Sequence, residues 1–206
     1  MPAKTDIAII GGGMVGAVFA LAVHKLQPQL RICVIEKFQP QLQNSLNPSF
    51  DARSTALSYA TVTLLQQLGL AETVVAQACD IQQIHVSERQ LPARVLLTAE
   101  KEKVPALGYV IENRRLGQIL WQQMQACEGI ELLAPAEAAQ IQVSRQGMVL
   151  QGELGTHNVL HAALAVLADG GRSGLSEQLG IDHDVHDYQS HGVVANVEFQ
   201  QPHHGV

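Results

Sequence analysis

Asp6-Ile7-Ala8-Ile9-Ile10-Gly11-Gly12-Gly13-Met14-Val15-Gly16 is an apolar run that ends in a cluster of glycines. The apolar part predicts a buried strand, and the glycines a turn that delivers the chain into a helix. Gly11, Gly13 and Gly16 satisfy the Gly-x-Gly-x-x-Gly spacing of a dinucleotide-binding turn. In such a turn the first glycine allows the tight bend. The second lets the backbone approach a pyrophosphate, and the third lets helix and strand pack closely. The anion then meets the helix N-terminus, where unpaired amides and the helix dipole favour negative charge.

Glycines meet that spacing by chance in many loops, so the following residues decide its meaning. Residues 17–26 are mostly apolar and free of Gly and Pro, and Pro28 stands where a helix would stop. Arg31-Ile32-Cys33-Val34-Ile35 predicts a second strand ending at Glu36. Glu36 lies twenty residues beyond Gly16, the place of an acid that hydrogen-bonds ribose hydroxyls. A carboxylate there repels a 2′-phosphate, which argues against NADP at this turn. The alternative is a surface carboxylate at a strand end. Strand, turn, helix, strand and acid in register favour the ribose partner.

The chain has 206 residues, 47% of them hydrophobic and 16% charged, enough to bury a sizeable core. Thirteen basic against 19 acidic residues give a net charge of −6, which argues against nucleic acid as a partner. No apolar run reaches the length of a membrane span. Met1-Pro2-Ala3-Lys4-Thr5 leads straight into the first strand, an N-terminus without the form of a signal peptide. The three cysteines, Cys33, Cys79 and Cys127, are odd in number and widely spaced. They fit reduced thiols in a cytoplasmic protein better than a disulfide framework.

Further along, 37–49 reads as a loop, and the apolar spacing over 52–68 predicts a helix closed by Gly69. A shorter helix is expected near 72–78. Alternation over 81–88 and 94–98, with Pro92 between, predicts a pair of strands. A helix is expected over 113–126, with Leu116, Ile119, Leu120, Met124 and Cys127 on one side. Strands are expected over 130–133, over 138–144 with 148–153, over 163–168 and over 193–199.

Four stretches together resemble the FAD-dependent aromatic hydroxylases of the para-hydroxybenzoate hydroxylase type, and within them the ubiquinone-biosynthesis hydroxylases. They are the glycine turn with Glu36; Phe50-Asp51-Ala52-Arg53-Ser54-Thr55; Gly108-Tyr109-Val110-Ile111-Glu112-Asn113-Arg114-Arg115; and Val166-Leu167-Ala168-Asp169-Gly170-Gly171-Arg172-Ser173. The resemblance places FAD against Gly11, Gly13, Met14, Val15, Gly16, Glu36, Lys37, Arg53, Arg114, Asp169 and Gly170. Arg53, read as lying at a helix head against the dipole, is assigned an anion; its alternative is a surface arginine. Arg114 and its neighbour Arg115 compete for one role beside the ribityl chain. Asp169 is either a cofactor contact or the N-cap of a following helix. The family pattern has an arginine three residues after the serine, where this chain has Ser176, which weakens the case for direct nicotinamide contact.

The resemblance implies an α/β fold: a Rossmann-type parallel sheet for FAD, with part of a second, mainly β substrate domain. The FAD domain is expected over 1–78 and 100–180, and the substrate domain over 79–99 and 181–206. The family's third fingerprint, a Gly-Asp pair, falls beyond Val206, so the resemblance covers the cofactor-binding half of a monooxygenase. Implied with it are NAD(P)H as reductant, dioxygen as oxidant and a polyprenylated phenol as substrate. A lipid-tailed substrate implies peripheral contact with a membrane, and the pathway an assembly with other proteins. No side chain is assigned as nucleophile or general base. The alternatives are another flavin-dependent aromatic hydroxylase or oxidoreductase, and a non-catalytic FAD- or nucleotide-binding module. His183, His186, His191, His203 and His204, among Asp182, Asp184 and Asp187, lack metal-ligand spacing and read as polar loop.

Overall fold

A computed structural model describes residues 3–39, 51, 53–87, 94–171, 173–193, 195 and 200. The elements in chain order are β1 (Ala3–Ile10), α1 (Met14–Leu26), β2 (Ile32–Ile35), β3 (Ser54–Ser58), α2 (Tyr59–Gln67), α3 (Ala71–Val75), β4 (Cys79–Ile81), β5 (Gln83–Ser87) and β6 (Arg94–Thr98). There follow α4 (Ala99–Glu102), β7 (Gly108–Glu112), α5 (Asn113–Gln125), β8 (Ile130–Leu133), β9 (Glu137–Ser144), β10 (Gly147–Leu154), β11 (His157–Leu167) and α6 (Leu175–Gln178).

The chain forms two compact units, residues 1–51 with 117–192 and residues 52–116 with 193–206. The division departs from the expected one: 52–78 and 100–116 group with 79–99 rather than with the glycine turn.

The first unit is built on a six-stranded sheet of order β8-β2-β1-β11-β10-β9. β8, β2, β1 and β11 run parallel, and β10 and β9 extend the sheet as an antiparallel edge. The expected parallel sheet is therefore present within a mixed one, with the hairpin around Gly147 joined to it. The central strands are apolar on both faces, as strands covered on both sides must be. All four residues of β2 are buried, and Ala8, Ile9, Cys33 and Val34 are fully enclosed. Helix α1 lays Gly16, Ala17, Ala20 and Leu21 inward. Its small residues permit the close approach that the glycine spacing anticipates. The strand expected over 163–168 is the end of a longer one, because β11 starts at His157 and pairs with β1 from Ala3 to Ile10.

The second unit holds a three-stranded sheet, β3-β7-β4, and the two-stranded pair β5-β6. The helix expected over 52–68 needs correction. Its first part is β3, which pairs with β7 from Ser54–Glu112 to Ser58–Gly108. The apolar spacing suited a helix, but ladder bonds to β7 and burial of Leu57 overrode local preference. The helix begins only at Tyr59, where the Ser58 side chain accepts the Thr61 amide as a cap. Gly69, at φ 77°, follows its end as expected. β7 itself, just upstream of α5, was not anticipated. The pairing of β5 with β6 matches the expected strands, in the register Gln83–Thr98 to Ser87–Arg94. The strand expected over 193–199 falls largely outside the described residues.

Candidate functional site: a glycine turn at the strand ends

In the first unit the chain leaves β1 for β2 on one side and receives β11 on the other. That reversal of strand order is where open α/β sheets bind ligands, beyond the carboxyl ends of their strands. Three loops meet there. The Gly11 amide donates to Ile35 O at 2.8 Å, and the Ala168 amide to Ile10 O at 2.7 Å. The ends of β1, β2 and β11 are thus tied together, bringing the glycine turn, Glu36 and Asp169 into one place.

The turn is closed on itself. Gly11 has φ 102°, and a Cβ on it would lie 2.4 Å from the Ala168 carbonyl oxygen. A Cβ on Gly16 would lie 2.0 Å from the Gly11 carbonyl oxygen. Gly13 caps α1 with no side-chain hydrogen bond, so the first-turn amides are not capped by a side chain. Met14 is half-buried and Val15 is exposed.

Glu36 is buried, 7% exposed, just past β2. Its Oε2 accepts the Gly12 amide at 2.7 Å and its Oε1 the Phe38 amide at 3.0 Å. The sequence spacing located this acid but not its grip on Gly12. Trp121 Nε1 donates to the Gly12 carbonyl at 2.9 Å. Trp121 was not anticipated. It lies one position off the apolar stripe of α5, and periodicity carries no sign that its indole would meet a loop 109 residues away.

Asp169 follows β11, and its carboxylate accepts the amides of Gly171 at 3.1 Å and Ser173 at 2.8 Å. Partial burial would raise its pKa, but those hydrogen bonds, Ser173 first, hold it below the ordinary carboxylate value. The alternative role for Asp169 as a helix N-cap does not hold, since Gly174 stands at that position of α6. Gly170 and Gly171 both have φ near 70°. Lys37 reaches Glu137 on β9, Nζ to Oε1 2.8 Å, on the exposed surface.

Arg53 and Arg114 belong to the second unit. Arg53 is not at a helix head. It precedes β3, and its carbonyl accepts the Asn113 amide at 2.8 Å, so the helix-dipole argument for an anion lapses. Arg114 pairs with Glu112, and Arg115 approaches the same carboxylate at 3.7 Å. Among the described residues no cluster of three or more His, Cys, Asp or Glu side chains is arranged to hold a metal. No helix among them is long and apolar enough to cross a membrane.

Residues 4–205 match the family described as FAD binding domain. The chain belongs to that family. This FAD-binding domain is 35% identical over 185 residues to the 3-demethoxyubiquinol 3-hydroxylase of Escherichia coli K12, covering 90% of the chain and 46% of that protein. It is 30% identical over 200 residues to the ubiquinone hydroxylase UbiL of Rhodospirillum rubrum, covering 97% of the chain and 45% of that protein. The chain therefore spans about half the length of these relatives. Its fold is shared with p-nitrophenol 4-monooxygenase PnpA from Pseudomonas putida DLL-E4, at a TM-score of 0.71, 17% identity and coverage of 87% and 44%. It is likewise shared with the flavin-dependent monooxygenase PieE, at a TM-score of 0.70, 19% identity and coverage of 87% and 33%.

The residues present fit FAD. A pyrophosphate needs close backbone approach and amide donors, and the glycine turn ahead of α1 offers both. An adenosine ribose needs a fixed acceptor, and Glu36 is held in place by two amides.

Proposed function

We propose that this chain is the cofactor-binding half of an FAD-dependent hydroxylase acting on a polyprenylated phenol in ubiquinone biosynthesis. The observation that carries the reading is the buried Glu36 carboxylate, fixed on the glycine turn at the head of α1. The names of the relatives supply the substrate class. In this reading the amides of Gly13, Met14 and Val15 receive the pyrophosphate, with Gly11 and Gly16 giving the backbone room. Glu36 orients the adenosine ribose, since an oxygen that accepts an amide can also accept a hydroxyl. Asp169 and Gly170 shape the turn beside the cofactor, and Lys37, just past β2, supplies positive charge to it. Bound FAD would supply the redox chemistry, with two electrons from NAD(P)H and one dioxygen yielding a ring hydroxyl and one water. The protein's part is to bind, orient and exclude water.

The reading extends to a cytoplasmic protein that meets the membrane through the lipid tail of its substrate, in an assembly with other enzymes of the pathway.

Visible absorption of the purified chain titrated with FAD tests the cofactor. A resolved flavin band that Glu36→Ala abolishes supports the reading. NADH binding in place of FAD overturns it. For the substrate, the polypeptide carrying this chain is supplied to bacteria lacking their 3-demethoxyubiquinol 3-hydroxylase. Restored ubiquinone supports the assignment, and failure with FAD bound points to a different aromatic ring.

A further inference from the structure

Gly12 is a residue to which the Gly-x-Gly-x-x-Gly spacing assigns no role, yet both of its polar groups are held. Its amide donates to Glu36 Oε2 at 2.7 Å, and its carbonyl accepts from Trp121 Nε1 at 2.9 Å. Both bonds are buried, and Trp121 is 5% exposed. The fit is steric as well as polar. A Cβ on residue 12 would lie 2.8 Å from Trp121 Cζ2 and 3.1 Å from Glu36 Cβ.

These two bonds act on different peptide planes. The Gly12 amide belongs to the plane shared with Gly11, and the Gly12 carbonyl to the plane shared with Gly13. A trans peptide is planar, with its N–H and C=O pointing in opposite directions. Holding the Gly12 carbonyl on the indole therefore turns the Gly13 amide away from Trp121. Glycine has little intrinsic preference to keep that plane from rotating. The orientation must come from the bond partner, and the indole N–H is that partner.

We propose that Trp121 is a positioning residue for the pyrophosphate end of the dinucleotide, locking the Gly12–Gly13 peptide so that the Gly13 amide is presented as a donor before ligand arrives. The inference rests on the FAD reading above and adds to it a residue from α5. Preorganisation of this kind raises affinity by removing the cost of ordering the donor on binding.

Trp121 is the only tryptophan in the chain, which permits a test on one atom. Biosynthetic replacement by 3-benzothienylalanine keeps the ring shape and removes the N–H. ADP is the probe, with its dissociation constant measured by calorimetry on the purified chain. Loss of one neutral hydrogen bond corresponds to a roughly three- to tenfold weaker ADP affinity. The Gly13 amide signal in the ¹⁵N spectrum of the ligand-free protein is expected to shift or broaden. Trp121→Phe serves as the second variant, with the same loss of ADP affinity. A ring that only fills space would leave ADP affinity and the Gly13 signal unchanged in the isosteric protein, and that result overturns the proposal. If the unaltered chain itself binds neither ADP nor FAD, the cofactor reading fails and this inference falls with it.

Discussion

Gly11 and Asp169 are in contact through their backbones: a Cβ on Gly11 would lie 2.9 Å from the Asp169 Cα. The turn after β1 and the turn after β11 therefore share space that only a glycine leaves open. Their proximity makes the candidate site a property of the parallel sheet as well as of one loop.

The glycines of the chain differ in what they tolerate. At Gly16 an added Cβ would meet the Gly11 carbonyl oxygen at 2.0 Å, a backbone atom that cannot step aside. Gly16→Ala is expected to cost about 3 kcal/mol or more, the upper range for forced overpacking. At Gly69 nothing lies within 4 Å, and only the left-handed φ of 77° opposes a side chain. Gly69→Ala is expected to cost about 1 kcal/mol. Urea unfolding of the two variants checks the contrast, and equal losses would refute it.

Removing the Glu36 side chain leaves the buried Gly12 amide without its acceptor. Glu36→Ala is expected to lose about 1–3 kcal/mol of stability, the penalty for an unpaired buried donor. Glu36→Gln keeps a carbonyl oxygen for that amide and should recover most of the stability. Denaturant midpoints for the pair separate the two effects from any change in FAD binding.

Burial, with the Glu131 carboxylate adding to it, pushes the Cys33 thiol up to about 12. The neutral thiol is favoured in the folded chain, while an unfolded cysteine ionises near 8.5. The folded state thus holds its proton more tightly, and this contribution to stability is full below about 8.5 and is lost as pH rises towards 12. Cys33→Ala should flatten the alkaline fall in unfolding midpoint. In the folded protein, exposed Cys79 should react with a thiol reagent while Cys33 stays protected until unfolding.

Asp169 titrates in the opposite sense. Hydrogen bonds from Ser173 and Gly171 outweigh burial and hold its folded pKa below 3.8. Its stabilising contribution is present above pH 3.8 and is lost as pH falls through the lower folded value. Asp169→Asn should therefore show a shallower acid decline than the unaltered chain in thermal melts at successive pH values. An identical decline would show that the turn amides do not favour the carboxylate.

Much of the first unit was legible from local pattern. β1, α1, β2, Glu36, α5, β8 and the β9–β10 hairpin all follow from apolar periodicity, glycine spacing or turn chemistry, signals carried by neighbouring residues. The second unit was less so. Residues 54–58 have a helix-like apolar spacing, and nothing near them in sequence announces that Gly108–Glu112 will take them as a strand. Arg53 was misplaced for the same reason, because its setting depends on the Asn113 amide sixty residues on.

Residue order near Gly11 was enough to specify a dinucleotide turn, since φ freedom, helix start and acid spacing are all local constraints. Trp121 on Gly12 and Asp169 against Gly11 arise from long-range packing. Which indole meets which carbonyl depends on how α5 and β11 close around β1, and apolar burial drives that closure without recording its partners in any short stretch of chain.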